Sequence, residues 1–170
     1  MNLMKEIKVE KVTLNIGTGK PGPELEKAMK LLKELTGVNP VETKTQKRIP
    51  GWSLRPGLSI GTKVTLRGKK AEEMLEKLLD AVDRKLVSKK FDNEGNFSFG
   101  LKEYLDIPGT KYNMDIGIIG LEIAVTLNRP GFRIKKRKIK AKRIPRRHRI
   151  SKEEAMNFIK DKFKVKFGDE

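Results

Sequence analysis

The chain has 170 residues, 36% hydrophobic and 36% charged, and its 39 Lys and Arg against 22 Asp and Glu give a net charge of +17. A chain of this length buries about 70% of its unfolded surface, enough for one proper core, and the excess positive charge calls for a polyanion, nucleic acid before an anionic membrane. The absence of cysteine excludes disulfides, thiolate metal sites and a cysteine nucleophile and suits the cytosol; no apolar run reaches the roughly 18 residues of a membrane span, and residues 1–11 lack a secretory signal's apolar region and cleavage site.

Ile7, Val9, Val12, Leu14 and Ile16 predict a first strand whose alternation shifts near Lys11. It runs into Gly17, Gly19 and Gly22, which spell G-x-G-x-x-G between a strand and a helix. In a dinucleotide-binding unit the third glycine lies inside the opening helix. Here Pro21 and Pro23 flank it, so the helix is expected to start at Pro23, after the motif. The next strand is polar at alternate positions, whereas a central parallel strand is almost wholly apolar. The preferred reading is a glycine-rich turn whose N–H groups a phosphate could use. A nucleotide-dependent enzyme built on residues 17–22 is the alternative. Leu25, Ala28, Met29, Leu31, Leu32 and Leu35 give residues 23–36 a helical apolar face, and Gly37 is placed to end it.

Residues 43–68 are the most informative stretch and read as strand, exposed loop, strand. The first arm is residues 41–47. The second is residues 62–67, with Val64 and Leu66 on one face and Lys63, Thr65 and Arg67 on the other. The loop between them holds Pro50, Gly51, Pro56, Gly57 and Gly61 and carries Arg48, Trp52 and Arg55 without an acid. Trp52 has two readings, a plug folding the loop back on the domain or an exposed stacking platform. Thr43, Thr45, Lys47, Lys63, Thr65 and Arg67, with Asn15 from the first strand, offer hydroxyls, amides and cations on one flat surface, and Lys44 of the first arm is a further candidate rRNA contact. Such groups suit phosphates and 2′-hydroxyls. Paired exposed aromatics are lacking, so shape recognition of folded RNA is expected rather than base stacking.

Residues 68–86 predict a second amphipathic helix through Ala71, Met74, Leu75, Leu78, Leu79, Val82 and Leu86; Met29 and Met74 belong to core stripes. Residues 93–96 signal a turn, residues 97–101 and 121–128 alternate as strands, and residues 129–131 end the second. Residues 132–150 then carry Arg133, Lys135, Lys136, Arg137, Lys138, Lys140, Lys142, Arg143, Arg146, Arg147 and Arg149 without one acid. Such a segment is expected to be disordered or extended when alone and to contact a polyanion without sequence preference. Ser151 and Glu154 spell a capping box for a terminal helix. The expected division is residues 1–131, 132–150 and 151–170.

Catalytic chemistry finds little material. The single histidine, His148, sits among arginines and joins the basic arm, and Glu72-Glu73 and Glu153-Glu154 lie in first turns of helices, where acids favour the dipole. No metal site or cofactor is expected. A basic membrane-surface helix is disfavoured because residues 132–150 lack bulky apolar residues at helical spacing.

Three segments together resemble the large-subunit ribosomal protein five family: residues 35–44 (LTGVNPVETK), 51–57 (GWSLRPG) and 60–68 (IGTKVTLRG). The likeness begins at residues 13–17 (TLNIG), continues through residues 129–132 (RPGF), and at residues 148–156 is similar to the archaeal and eukaryotic branch. It implies an α/β sandwich with a curved, mainly antiparallel sheet, helices on one face and RNA on the other. It also implies 5S rRNA binding in the central protuberance, contact with large-subunit rRNA and neighbouring large-subunit proteins, a bridge to small-subunit protein thirteen, cytoplasmic location, and no catalysis. By motif, the family's rRNA contacts fall on Asn15, the Thr36-Gly37 turn and Thr65, and Gly17 beside Asn15 is a further candidate rRNA contact. The P-site tRNA contact falls on Lys47, Arg48, Ile49, Pro50, Gly51, Trp52, Ser53, Leu54 and Arg55. Two departures stand out: Val38 replaces a glutamine common in bacterial members, and the arm is richer in cations than the family pattern.

Overall fold

The computed structural model describes residues 2–168. In chain order it forms β1 (Lys8–Gly17), α1 (Pro23–Thr36), β2 (Val41–Lys44), β3 (Ser59–Leu66), α2 (Lys69–Asp80), β4 (Lys85–Val87), β5 (Phe97–Leu101), β6 (Leu121–Asn128), α3 (Arg133–Lys136), α4 (Lys152–Phe163) and β7 (Lys166–Gly168). Five strands make an open, mainly antiparallel sheet in the order β2-β3-β1-β6-β5, and β4 and β7 form a separate parallel pair. The mixed α/β class is as expected. Because β1 lies between β3 and β6 and β2 is an edge strand antiparallel to β3, the sheet lacks the parallel βαβ arrangement of a dinucleotide-binding unit.

Packing divides the chain into a central unit (residues 13–66 and 100–123) and a terminal unit (residues 2–12, 67–99 and 124–168). In the central unit α1 packs against β3, burying Leu25, Ala28, Leu31 and Leu32 together with Leu14, Ile16, Val64 and Leu66. The helix begins at Pro23, and Gly37, at φ 66°, returns its N–H to the Lys33 carbonyl at 2.8 Å. Gly61 is required by space. A Cβ on Gly61 would lie 2.7 Å from the Ile16 carbonyl oxygen and 2.9 Å from Thr43 Oγ1. The first of these is backbone and cannot rotate away. Gly61→Ala is therefore expected to cost about 2 kcal/mol by overpacking, read as a lower urea midpoint at unchanged slope.

In the terminal unit Val9 and Val12 are both buried three residues apart, the shift in alternation expected near Lys11. The helix expected over residues 68–86 stops at Asp80. Asp83 and Arg84 adopt left-handed backbone (φ 54° and 53°), and the chain continues as β4. Arg84 holds this corner, donating to Asp80 Oδ1 at 2.6 Å and the Phe163 carbonyl at 3.0 Å, while its own carbonyl accepts from Lys166 N. Leu86 is thus buried from a strand, not from a helical stripe. The capping box forms as expected, with Ser151 Oγ accepting from Glu154 N and Glu154 Oε2 from Ser151 N.

The basic arm, expected to be disordered or extended, is irregular over residues 137–145 and packs at its two ends. It forms the single turn of α3 and a 3₁₀ turn at Arg146–His148, and Ile144 and Ile150 are buried. Arg129, read from sequence only as a strand terminator, is 5% exposed. Its guanidinium donates to the Lys5 carbonyl (3.1 Å), the Arg149 carbonyl (3.0 Å) and Glu154 Oε1 (2.8 Å). Ile144, Ile150 and the buried Arg129 beside them anchor a segment whose charge density would otherwise leave it loose.

Candidate nucleic-acid interface

Alternation along β1 and β3 sends Leu14, Ile16, Val64 and Leu66 inward and leaves Thr13, Asn15, Gly17, Lys63 and Thr65 on the open face of the central unit. Cross-strand pairing adds Thr43, directly opposite Gly61, and Val41, opposite Lys63. The surface is built from short side chains. Asn15, Gly17, Gly100, Gly120 and Glu122 border a shallow recess of about 290 Å³. Small groups let a ribose-phosphate backbone lie close to the sheet, with hydroxyls and one lysine available to 2′-hydroxyls and phosphates.

Among the expected rRNA residues, Asn15, Gly17, Thr43, Lys63 and Thr65 come together on this face, and Lys44 is exposed at its edge, where the β2–β3 register shifts. Thr45 does not belong to it. That shift ends the regular ladder, and Thr45 is 9% exposed, its Oγ1 donating to the Lys47 carbonyl and its backbone bonding Leu58 and Gly57. Thr36 is turned onto its own helix, donating to the Leu32 carbonyl at 2.7 Å. Arg67 lies in the terminal unit, its guanidinium 3.2 Å from Glu10. Asn15 donates to Glu122 Oε2 at 3.3 Å, so the face is polar rather than uniformly basic. Thr13 was missed, although the alternation that exposes Asn15 exposes it too.

Residues 45–58 form a small closed lobe. Ile49 and Leu54 exchange both backbone hydrogen bonds at 3.1 Å around the 3₁₀ turn Pro50–Trp52. Arg48 and Arg55 flank a hollow lined also by Pro50, Ser53, Leu54 and Leu58. Trp52 is 72% exposed, which removes the plug reading and leaves an indole and two guanidinium groups presented to solvent. In the glycine-rich turn the N–H groups of Thr18 and Gly19 are taken up within the chain, both donating to the Ile60 carbonyl at 2.9 Å.

The arm cations are unequally available. Lys136 joins Arg67 on Glu10, and Lys135 reaches Glu94 at 3.3 Å. Arg137 and Arg149 donate to the carbonyls of Lys140 and Ile144. Lys138, Lys140, Arg143, Arg146 and Arg147 are exposed. Burial raises the Glu10 carboxyl, but the hydrogen bonds and charges of Lys136 and Arg67 outweigh it and leave the group below the ordinary carboxylate range. Glu154 is lowered in the same balance, burial being overcome by Ser151 and Arg129. Glu10 therefore acts as an internal counter-ion in the terminal unit. Among the described residues no cluster of metal-ligating side chains occurs, and no helix is long and apolar enough to cross a membrane.

The family described as "Ribosomal protein L5" matches residues 2–55, and the C-terminal region of the same ribosomal family matches residues 59–158. The chain belongs to the ribosomal protein L5 family. It is similar to "Large ribosomal subunit protein uL5" of Sulfurisphaera tokodaii, 52% identical over 97% of this chain and 94% of the relative. The proteins of the same name from Nanoarchaeum equitans (52% identical, covering 95% and 96%) and Methanobrevibacter smithii (43%, covering both chains completely) are also similar. As an L5 protein the chain is a structural constituent of the large subunit of the cytoplasmic ribosome and not an enzyme. Membership, together with the occupied N–H groups of Thr18 and Gly19, overturns the nucleotide-dependent enzyme as the alternative reading.

Proposed function

We propose that this L5 protein binds 5S rRNA through the open face of its central unit and helps attach that RNA to the large subunit in the central protuberance. The supporting observation is the set of short polar and glycine residues around Lys63, Thr65, Thr43, Thr13 and Asn15, a surface a folded RNA backbone can approach closely. The lobe of residues 47–56, with its exposed Trp52 and arginines, is the contact for P-site tRNA. The exposed cations of the arm serve large-subunit rRNA without sequence preference. Tyr112, Met114 and Ile118, 57%, 86% and 63% exposed on one segment, offer apolar anchors for a protein neighbour. Small-subunit protein thirteen, in an intersubunit bridge, and adjoining large-subunit proteins are the partners assigned to such surfaces.

Purified protein should bind 5S rRNA with log affinity falling by about 0.9 per phosphate contact against log salt. Peptides crosslinked to 5S rRNA should concentrate in residues 13–17, 41–44 and 59–65, outside the lobe. Affinity indifferent to salt, or equal competition by an unrelated RNA duplex, would sink the reading.

A further inference from the structure

The terminal unit holds a cavity that lies outside the 5S surface and shares with this reading only the arm, through Arg143. It encloses about 510 Å³ between Glu10 and Lys11 of β1, the turn carrying Glu94 and Asn96, Leu127 of β6, and the arm. The volume falls in the range of about 300–1,000 Å³ typical of small-ligand sites. Leu127, Ile144 and Ile150 supply buried apolar lining. Phe132 adds a ring, fixed edge-on against His148 at 5.7 Å, with His148 Nε2 2.8 Å from the Pro130 carbonyl.

The polar lining is divided in a way that suits one ligand. Lys11 and Arg143 border the cavity without an ion pair or side-chain hydrogen bond among the described residues, unlike Lys135 and Lys136. Glu10 receives both Arg67 and Lys136 on Oε1, which leaves Oε2 as an acceptor. Asn96 gives Nδ2 to Asp92 at 2.9 Å, which leaves Oδ1 as another. Apolar walls with a ring accept a flat heterocycle, and unpaired cations accept a phosphate. Two acceptor atoms without a partner among the described residues, Glu10 Oε2 and Asn96 Oδ1, suit a base edge carrying N–H groups, and among the four bases guanine presents the N1–H and N2–H pair.

We propose that this cavity binds one guanosine monophosphate unit, its base against Phe132 and the two isoleucines, its donor edge on Glu10 and Asn96, and its phosphate on Lys11 and Arg143. The unit can be a residue of RNA turned out of its stack or a free nucleotide. The inference uses no residue of the 5S surface, and its test requires no 5S rRNA.

The test titrates the full chain, labelled at isoleucine methyls, with GMP, AMP, CMP, UMP and inorganic phosphate. GMP should shift the Ile144 and Ile150 methyl resonances and bind at least tenfold more tightly than the other nucleotides. Arg143→Gln, at an exposed and unpaired position, should weaken GMP at least tenfold with unchanged melting temperature. Phe132→Leu should weaken GMP but leave phosphate alone unaffected. A single-stranded UGU trinucleotide binding more tightly than GMP identifies RNA as the source, and the reverse order identifies the free nucleotide. GMP binding no better than phosphate, equal affinity for all four nucleotides, or no loss in Arg143→Gln would overturn the proposal.

Discussion

Arg129→Ala is expected to destabilise the protein by about 3 kcal/mol, the cost of breaking a mostly buried ionic and hydrogen-bonded cluster, and to release the basic arm. The guanidinium serves three segments of the terminal unit at once, through the carbonyls of Lys5 and Arg149 and the carboxylate of Glu154. Removing it leaves two backbone acceptors facing a void and Glu154 with only its capping bonds. Glu154→Gln should cost much less, because that side chain is 46% exposed and water replaces the lost partner. Arg129→Lys should fall between, since an ammonium cannot reach three acceptors with the geometry of a planar fork. Urea titration gives the ordering, and limited trypsin digestion reports the arm, with early cleavage across residues 137–147 in Arg129→Ala. Equal stability of Arg129→Ala and wild type, or an arm no more cleavable, would show that Ile144 and Ile150 alone hold it.

The same residue marks where sequence reading stopped. Elements with a strong period were legible: α1 to its first and last residue, β5, β6, the alternation shift in β1, and the capping box of α4 all follow from patterns local to the chain. The failures lie where distant partners decide. The helical period continues numerically through Val82 and Leu86, but Arg84, bonded to Phe163 and Lys166, turns the chain into β4 against the far C-terminal β7. The cation count of residues 132–150 predicts a disordered or extended segment, but acids from remote positions, Glu10 and Glu94, neutralise part of it. Counting alternate residues from Thr43 puts Thr45 on the RNA face, but a register shift at Thr43/Lys44 ends the ladder that the count assumes. The open face was legible because it needs only parity. Its neighbour Glu122, which occupies Asn15, required the order of strands in the sheet.

That parity sets up the sharpest division of labour between the open face and the lobe. Lys63 and Thr65 are both exposed on β3, so Lys63→Glu with Thr65→Glu should leave stability within about 0.5 kcal/mol. In RNA binding the pair places two negative charges where phosphates approach. A loss of about 100-fold in 5S affinity is expected at moderate salt, with a salt slope shallower by at least about 0.9 for the lysine contact removed. Arg67 makes a poorer probe, because removing it also strips a partner from Glu10. Arg55→Ala with Trp52→Ala alters only exposed groups of the lobe. It should leave 5S affinity within about twofold while weakening P-site tRNA on reconstituted ribosomes, since one stacked base is worth about 1–3 kcal/mol. The two variant pairs must separate the two readouts. If the lobe variant lowered 5S affinity as much as the sheet variant, both surfaces would serve one RNA, and the lobe would be an extension of the 5S site.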